Sequence, residues 1–224
     1  MIVNHQYQSW LGYVNQTRVS SKWGIWFDVH QRFIDLPRLR DFYLGRIGVN
    51  YFVNDNIRLS AGHAVALTSL SNSNQTYVHE HRPWEQISQK FNWKIIFGSH
   101  WIRIEHRFNQ KVKNGELLNE YNFTNRFRYG TQLSIPLNNK TIKDNTISLV
   151  FQPEIFINVG GDAGNRYFDQ NRFMVALSYN FNKTYNIQLG YINILQKPNT
   201  PDQWTDTHTI RLFLNHNIDL RKSD

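Results

Sequence analysis

Strict alternation of apolar and polar side chains is the feature that most constrains the fold of this chain. In residues 23–33, one face would carry Trp23, Ile25, Phe27, Val29 and Phe33, and the other Gly24, Trp26, Asp28, His30 and Arg32. The same period of two recurs in residues 102–107, 123–137, 147–159 and 173–181. Successive side chains of a strand point to opposite faces, whereas a helix repeats every 3.6 residues. The pattern therefore predicts strands.

Weaker segments with the same period extend the series. They lie at residues 6–19, 42–53, 57–69, 84–96, 186–195 and 207–219. Together they make eleven candidate strands, most of about 10–15 residues, whereas ordinary strands average five or six. No convincing helix lies between them. We therefore predict one all-β domain that spans residues 1–224.

The connections between the candidate strands also alternate. Short turns follow the first, third, fifth and ninth candidates, at residues 20–22, 54–56, 97–99 and 183–184. Longer polar loops follow even-numbered candidates, at residues 71–83, 113–119, 160–171 and 196–206. This asymmetry is typical of outer-membrane barrels, which have an even number of strands. It predicts a closed antiparallel transmembrane β-barrel of ten to twelve strands, with twelve favoured, short periplasmic turns and longer extracellular loops.

The polar face distinguishes a membrane barrel from a water-soluble sandwich, whose apolar faces fill a core between two sheets. Small residues accompany many arginines on this face, and arginine suits enclosed pairs with carboxylates. We predict a lumen charge network of Asp28, Arg32, Arg46, Arg103, Glu105, Arg107, Arg126, Arg128, Glu154 and Arg211. The alternative is that these side chains form the solvated surface of a soluble sheet.

Aromatic residues near strand ends support the membrane interpretation. Outer-membrane barrels carry Trp and Tyr where strands meet the lipid headgroups. The candidates for such girdles are Trp23, Tyr51, Trp93, Trp101, Tyr121 and Tyr179. In a soluble barrel the same residues would pack at the sheet edges.

Composition excludes several classes of protein. The chain has 25 Lys and Arg against 17 Asp and Glu, but the basic residues are dispersed, which disfavours nucleic acid as a partner. It has no cysteine and therefore no disulfide or thiolate metal site. No apolar run reaches the ~18 residues of a membrane helix. The opening MIVNHQ lacks a signal-peptide pattern, which is expected of a mature form with a replacement start Met.

Three short motifs resemble a known family. They are EHRPWEQ, with Glu80, His81, Arg82 and Trp84, then WIRIEHRF at 101–108 and NRFRY at 125–129. Their order is similar to that in the outer-membrane family of unknown function catalogued as domain of unknown function 2490. Residues 169–172 and 190–193 resemble its later pattern, so the resemblance spans Trp10 to about Leu214. His106 departs from the pattern, where a glutamine is expected. The resemblance implies a secreted barrel of Gram-negative bacteria and no catalytic residues.

Other candidate sites are weak. His79 and His81 would share a strand face as metal ligands, but no second ligand cluster follows. We therefore expect residues 79–81 to pair with lumen charges. Ser99 and His100 are the nearest nucleophile and base, in a predicted turn. Asp28, Glu105 and Glu154 could be a catalytic acid and base, but we expect arginines to neutralise them in a salt-bridge network. The sequence predicts no cofactor, no metal and no enzymatic activity.

Three functions fit the sequence, of which the first is favoured and the other two are alternatives. The first is a structural or interaction barrel in the outer membrane, with a lumen narrowed by ion pairs, in contact with outer-membrane lipid and an envelope protein. The second is a narrow, anion-preferring channel, because the lumen face holds more arginine than acid. The third is a barrel enzyme that acts on lipid or envelope polymer.

Overall fold

The protein is a closed β-barrel. The computed structural model describes residues 2–34, 40–70, 76–163, 167–197 and 203–221. Its strands are β1 (Ile2–Arg18), β2 (Trp23–Ile34), β3 (Arg40–Phe52), β4 (Ile57–Ser69), β5 (Tyr77–Trp93), β6 (Ile96–Lys113), β7 (Glu116–Pro136), β8 (Thr146–Val159), β9 (Phe168–Asn180), β10 (Tyr185–Gln196) and β11 (Gln203–Asp219). A short 3₁₀ turn, Gly161–Ala163, follows β8.

The sheet closes through an unusual seam. Each strand pairs with its sequence neighbours in antiparallel fashion, and β1 then pairs with β11 in parallel, from Ile2 opposite Gln203 to Arg18 opposite Asp219. The expected closed barrel is confirmed, and its eleven strands lie within the expected ten to twelve, although twelve was favoured; the sheet is antiparallel except at the β1–β11 pair. With eleven strands, the first and last run in the same direction, so the pair that closes the ring has to be parallel.

The eleven candidate segments all correspond to strands, but several boundaries differ. The turn expected at 97–99 lies inside β6, and β5 instead ends at Trp93, before Lys94 with φ 54°. The loop expected at 113–119 is only Asn114 and Gly115, with φ values of 53° and 83°. Two residues with positive φ match the right-handed twist of a tight hairpin. The pairing of β6 with β7 therefore continues to the hairpin tip.

The two ends of the barrel are built differently. The end with the connections at 19–22, 53–56, 94–95, 137–145 and 181–184 is called the turn end here. The opposite, loop end carries the β6–β7 hairpin tip and the 3₁₀ turn Gly161–Ala163 that follows β8. Parts of the loops predicted at 71–83, 160–171 and 196–206 lie outside the described residues, and the strands take up other parts, since β5 begins at Tyr77, β9 at Phe168 and β11 at Gln203.

The apolar face of nearly every strand points outward. In β2, Trp23, Ile25, Phe27 and Val29 are exposed, whereas the intervening Gly24, Trp26, Asp28 and His30 are buried. The same holds around the wall, with exposed apolar residues that include Ile47, Val49, Leu59, Ile87, Ile102, Ile104, Ile155, Phe173, Leu177, Leu189, Ile210 and Leu212. Among the described residues, no helix is long and apolar enough to cross a membrane.

Two apolar clusters support the inside of the barrel. One consists of Trp10, Val150, Met174, Ala176, Ile192, Ile194 and Phe213, and the other of Trp26, Leu44, Ala64, Ala66 and Trp84. Trp84 is 1% exposed and packs over two glycines of neighbouring strands. A Cβ at Gly62 would lie 2.1 Å from the Ile47 carbonyl oxygen and 2.6 Å from the Cα of Gly48. Glycine is required there because the wall has no room for a side chain.

Candidate functional site

The inner wall of the barrel carries most of the buried charge. Ten arginines line the lumen between the two rims: Arg32, Arg46, Arg58, Arg82, Arg103, Arg107, Arg126, Arg128, Arg172 and Arg211. Five acidic side chains are buried among them: Asp28, Glu80, Glu105, Glu154 and Asp169. Among the described residues the wall between the rims therefore has five more positive than negative side chains.

Glu105 on β6 is the centre of the largest ion-pair network. Arg126, opposite on β7, donates to Glu105 Oε2 from Nε at 2.8 Å and from Nη2 at 2.5 Å. Arg128 donates to Oε1 at 2.6 Å. Arg103 Nη1 lies 3.9 Å from Oε1, and its Nε donates to Gln86 at 2.8 Å. Both oxygens of this carboxylate are thus held by cations, which compensates for its removal from water.

The network continues to β8 and β9. Arg126 Nη1 donates to Asp169 at 3.0 Å, and Arg128 Nη2 donates to Glu154 at 2.6 Å. The indole of Trp101 also donates to Glu154, at 3.1 Å. Gly130 leaves the space for this ring, because a Cβ there would lie 2.2 Å from the indole. One connected set of side chains therefore ties together β6, β7, β8 and β9.

Asp28 on β2 holds a second, smaller network. Arg46, its partner across the β2–β3 pair, donates from Nε to both carboxylate oxygens at 2.9 Å. Trp26 donates its indole N–H to Oδ2, and His30 Nε2 lies 3.0 Å from Oδ1. Asp28 is fully buried. All of these partners lie on β2 and β3, so this network stabilises one hairpin.

Glu80 near the loop end of β5 holds a third network. Arg82 donates to its two oxygens at 2.6 Å each, in a bidentate arrangement. Arg107 of β6 donates from Nε to Oε1 at 2.5 Å. This carboxylate faces the lumen, as expected for residues 79–81. His79 and His81 do not, because alternate residues of a strand face opposite sides, and the ring of His81 lies outside, 5.5 Å from that of His63.

Four lumen arginines have aromatic neighbours instead of acidic ones. In the part of the chain that the structure describes, no carboxylate lies within 4.0 Å of them. Arg32 lies 3.9 Å above the Trp10 ring and Arg172 5.3 Å from the same ring, while Arg211 lies 3.7 Å above Phe213. The fourth, Arg58, lies 5.2 Å from Trp26. Cation–π contacts of this kind contribute about 0.5–2 kcal/mol, less than a full counter-ion.

The ion pairs leave part of the lumen open. A cavity of about 690 Å³ remains, with Gln8 and Gln196 among its lining near the loop end and Asn56 and Asn217 near the turn end. At roughly 30 Å³ per molecule it has room for on the order of twenty waters. At the turn-end rim, the guanidinium of Arg18 donates to Asp55 at 2.6 Å and lowers the pKa of that exposed carboxyl. The interior therefore has a polar lining and room for water, and long side chains cross it.

The structure places all ten residues of the predicted charge network on the inner wall. It joins seven of them in ion pairs with carboxylates: Asp28, Arg46, Glu105, Arg107, Arg126, Arg128 and Glu154. Arg103 lies at the edge of the Glu105 network, and Arg32 and Arg211 stay without a carboxylate among the described residues. Sequence reasoning missed Asp169, which it placed in the loop at 160–171, and Arg172, which it left between that loop and the strand predicted at 173–181. Both residues lie inside β9 and are therefore part of the wall.

Two other expectations are corrected by the direction of the side chains. Trp101 was expected in an outer girdle, but it faces the lumen and donates to Glu154. Ser99 and His100 lie in β6 and not in a turn, so they face opposite sides. Ser99 lines the lumen, whereas the ring of His100 stacks outside on Phe91 at 4.6 Å. These two residues therefore do not form a nucleophile–base pair.

Comparison with known proteins gives a family and no described activity. A family model with the description "Protein of unknown function (DUF2490)" matches residues 7–205, which run from the middle of β1 into β11. No curated protein and no solved structure matches the chain. The match covers all three ion-pair networks.

Proposed function

This chain belongs to the family described as Protein of unknown function (DUF2490), and from that membership and the barrel we propose that it is an outer-membrane protein of Gram-negative bacteria. Its role is structural, or it binds a protein partner in the envelope. In either case the wall is rigid and arginine–carboxylate pairs narrow the lumen. The turn end faces the periplasm and the loop end faces outward, as in other bacterial barrels.

The observation that carries this proposal is the reversal of the two faces. A protein folded in water buries its large apolar side chains, and large exposed apolar patches mark contact with membranes or partners. Here Ile47, Leu177 and Leu189 are 62%, 54% and 56% exposed, whereas Glu105 and Arg126 are 3% and 4% exposed. Lipid tails on the outside and ion pairs on the inside make this arrangement stable.

Aromatic residues support the same location. Trp23 and Tyr51 contact each other outside the barrel near the turn end, with ring centroids 5.0 Å apart, and Trp93 is 62% exposed at the same end. Near the loop end, Tyr121 and Tyr7 are exposed. Amphipathic rings at two levels suit the two headgroup layers of a bilayer.

Partition between water and detergent tests the proposal. The refolded full chain should need detergent or lipid vesicles to stay monodisperse, and its strands should become resistant to protease only after insertion. A monomer that is soluble and folded without detergent would contradict the membrane location, independently of whether the lumen conducts ions.

A second candidate function is a narrow path for small anions. The excess of five arginines and the cavity of about 690 Å³ favour it over an enzyme, because unpaired positive charge in a wet lumen attracts anions and repels cations. Side chains such as Arg32 and Arg172 project into this cavity. Conductance across planar bilayers distinguishes a closed lumen from such a path.

A further inference from the structure

Three metal-ligating side chains converge on the outside of the parallel seam, away from the lumen networks. His5 of β1 lies opposite Asp206 of β11 in the register, and His208 lies two residues further along β11. The possible ligand atoms of these three residues all lie within 4.8 Å of one another. The side chains are 58%, 23% and 31% exposed for His5, Asp206 and His208, so an ion could reach them from the surface.

The distances suit a shared metal ion better than direct hydrogen bonds. Asp206 Oδ2 lies 3.5 Å from His5 Nδ1 and 3.6 Å from His208 Nε2. Both separations exceed the 2.7–3.2 Å of ordinary N–H···O bonds. In a tetrahedral zinc site with bonds of about 2.0–2.1 Å, neighbouring ligand atoms lie roughly 3.3–3.4 Å apart. The two nitrogen–oxygen distances are close to that spacing, whereas the two histidine nitrogens, which lie within 4.8 Å of each other, would have to approach by up to about 1.5 Å.

Neighbours on β10 already satisfy the atoms that would face away from the ion. Asn193 Nδ2 donates to Asp206 Oδ1 at 2.5 Å, which leaves Oδ2 toward the histidines. The hydroxyl of Tyr191 lies 2.6 Å from His208 Nδ1. A proton on Nδ1, donated to the tyrosine oxygen, leaves the lone pair of Nε2 for a metal. Hydrogen bonds of this kind orient the ligands of most metal sites.

We propose that His5, Asp206 and His208 bind a divalent transition metal ion of the zinc type, which clips the first strand of the barrel to the last. Two imidazoles and one carboxylate are ligands that zinc accepts, and the fourth position stays open to water or to an exogenous ligand. The ion binds folded protein more tightly than unfolded protein, because the ligands come from distant parts of the chain, so it stabilises the closed ring. This site does not depend on the proposed membrane location.

Zinc titration of the purified full chain in detergent, with any histidine tag removed, tests the site. We expect one Zn²⁺ per chain by calorimetry, and at least about tenfold weaker binding for Asp206→Asn and for His208→Ala. Asn193→Ala should weaken binding roughly 10–100-fold while it leaves all three ligands in place. Asp206→Asn keeps the size of the side chain, so it remains informative if His208→Ala does not fold.

A second pair of histidines, half-buried on the outer wall, serves as the matched control. His63 and His81 also lie on the outer wall, with ring centroids 5.5 Å apart, but they belong to no ligand group of three among the described residues. The double variant His63→Ala/His81→Ala should keep the affinity of the unchanged protein. Zinc should also raise the temperature at which the folded band is lost on a gel, but not in Asp206→Asn. Equal affinity in all variants, or no binding at one ion per chain, would overturn the proposal.

Discussion

Arg126 donates two hydrogen bonds to one carboxylate oxygen of Glu105 on the neighbouring strand, from Nε at 2.8 Å and from Nη2 at 2.5 Å. The two side chains are 5% and 3% exposed, and they face each other across the β6–β7 pair. The contact lies at the centre of the lumen network, between β6 and β7, which are the two longest strands of the barrel. The first prediction concerns this contact.

Glu105→Gln should destabilise the barrel by about 3–5 kcal/mol, because Arg126 and Arg128 lose the carboxylate that they share and keep only Asp169 and Glu154 as buried counter-ions. The temperature at which the folded band converts to the unfolded band on a gel should fall. The control is Glu120→Gln, which removes the exposed pair with Lys111 and should cost no more than about 1 kcal/mol. Equal transitions for Glu105→Gln and the unchanged protein would show that the network contributes nothing to stability.

Arginine on the outer wall should impede insertion. Leu149 and Leu177 face each other across the β8–β9 pair, and both lie on the outer face. Leu149→Arg and Leu177→Arg should each reduce the free energy of unfolding in lipid vesicles by about 2–4 kcal/mol, because an arginine near the bilayer midplane is costly. Leu220→Arg, beyond the end of β11, should change it by about 1 kcal/mol or less. Unchanged folding of all three variants would contradict a lipid-facing wall.

The unchanged protein should show little or no steady conductance in planar bilayers. Side chains from opposite walls cross a barrel of eleven strands, which is narrow. Replacing Arg32 and Arg172 together by alanine removes two side chains that project into the cavity, so small currents should appear. Large, stable, anion-selective currents from the unchanged protein would refute the closed lumen and support the anion path.

Two glycines on neighbouring strands should differ in how well they tolerate alanine. At Gly62 the new Cβ would overlap the wall beside Trp84, which should cost about 1–3 kcal/mol. At Gly45 nothing lies within 4 Å of the new Cβ, so stability should change by less than about 0.5 kcal/mol. Denaturant titration in detergent compares the two. Equal stability of both variants would mean that the wall around Gly62 has more room than its packing indicates.

Much of the wall could be predicted from sequence because a barrel strand repeats a simple rule. Every second residue meets the outside, so Ile25, Phe27 and Val29 identify both the strand and its orientation. The ends of strands follow no such rule. The β6–β7 hairpin continues past the alternating part with polar residues on both faces, and only its Asn114–Gly115 turn marks the end.

Alternation in the sequence indicates eleven strands, but three-dimensional information was needed to show that an odd number closes the ring and which charges form the full network. The parity of the ring depends on whether β1 can pair in parallel with β11, and no local pattern reports this pairing. Asp169 and Arg172 were missed for a related reason. The register of β8 and β9 shifts between Phe156 and Ile157, and the regular alternation of β9 is interrupted at its start, where Asp169 and Gln170 are both buried. A sequence search for alternation alone therefore places the beginning of β9 too late.

The parallel seam also places the start of β1 and the end of β11 at opposite ends of the barrel. β1 begins at the loop end and β11 finishes at the turn end, so tags joined to Ile2 and to Asp219 would emerge from opposite mouths of the barrel. Seventeen residues of strand at about 3.3 Å each separate them by up to roughly 56 Å before tilt. A protease added to one side of sealed vesicles would then remove one tag and spare the other. The tag that is removed shows in which direction the barrel is inserted.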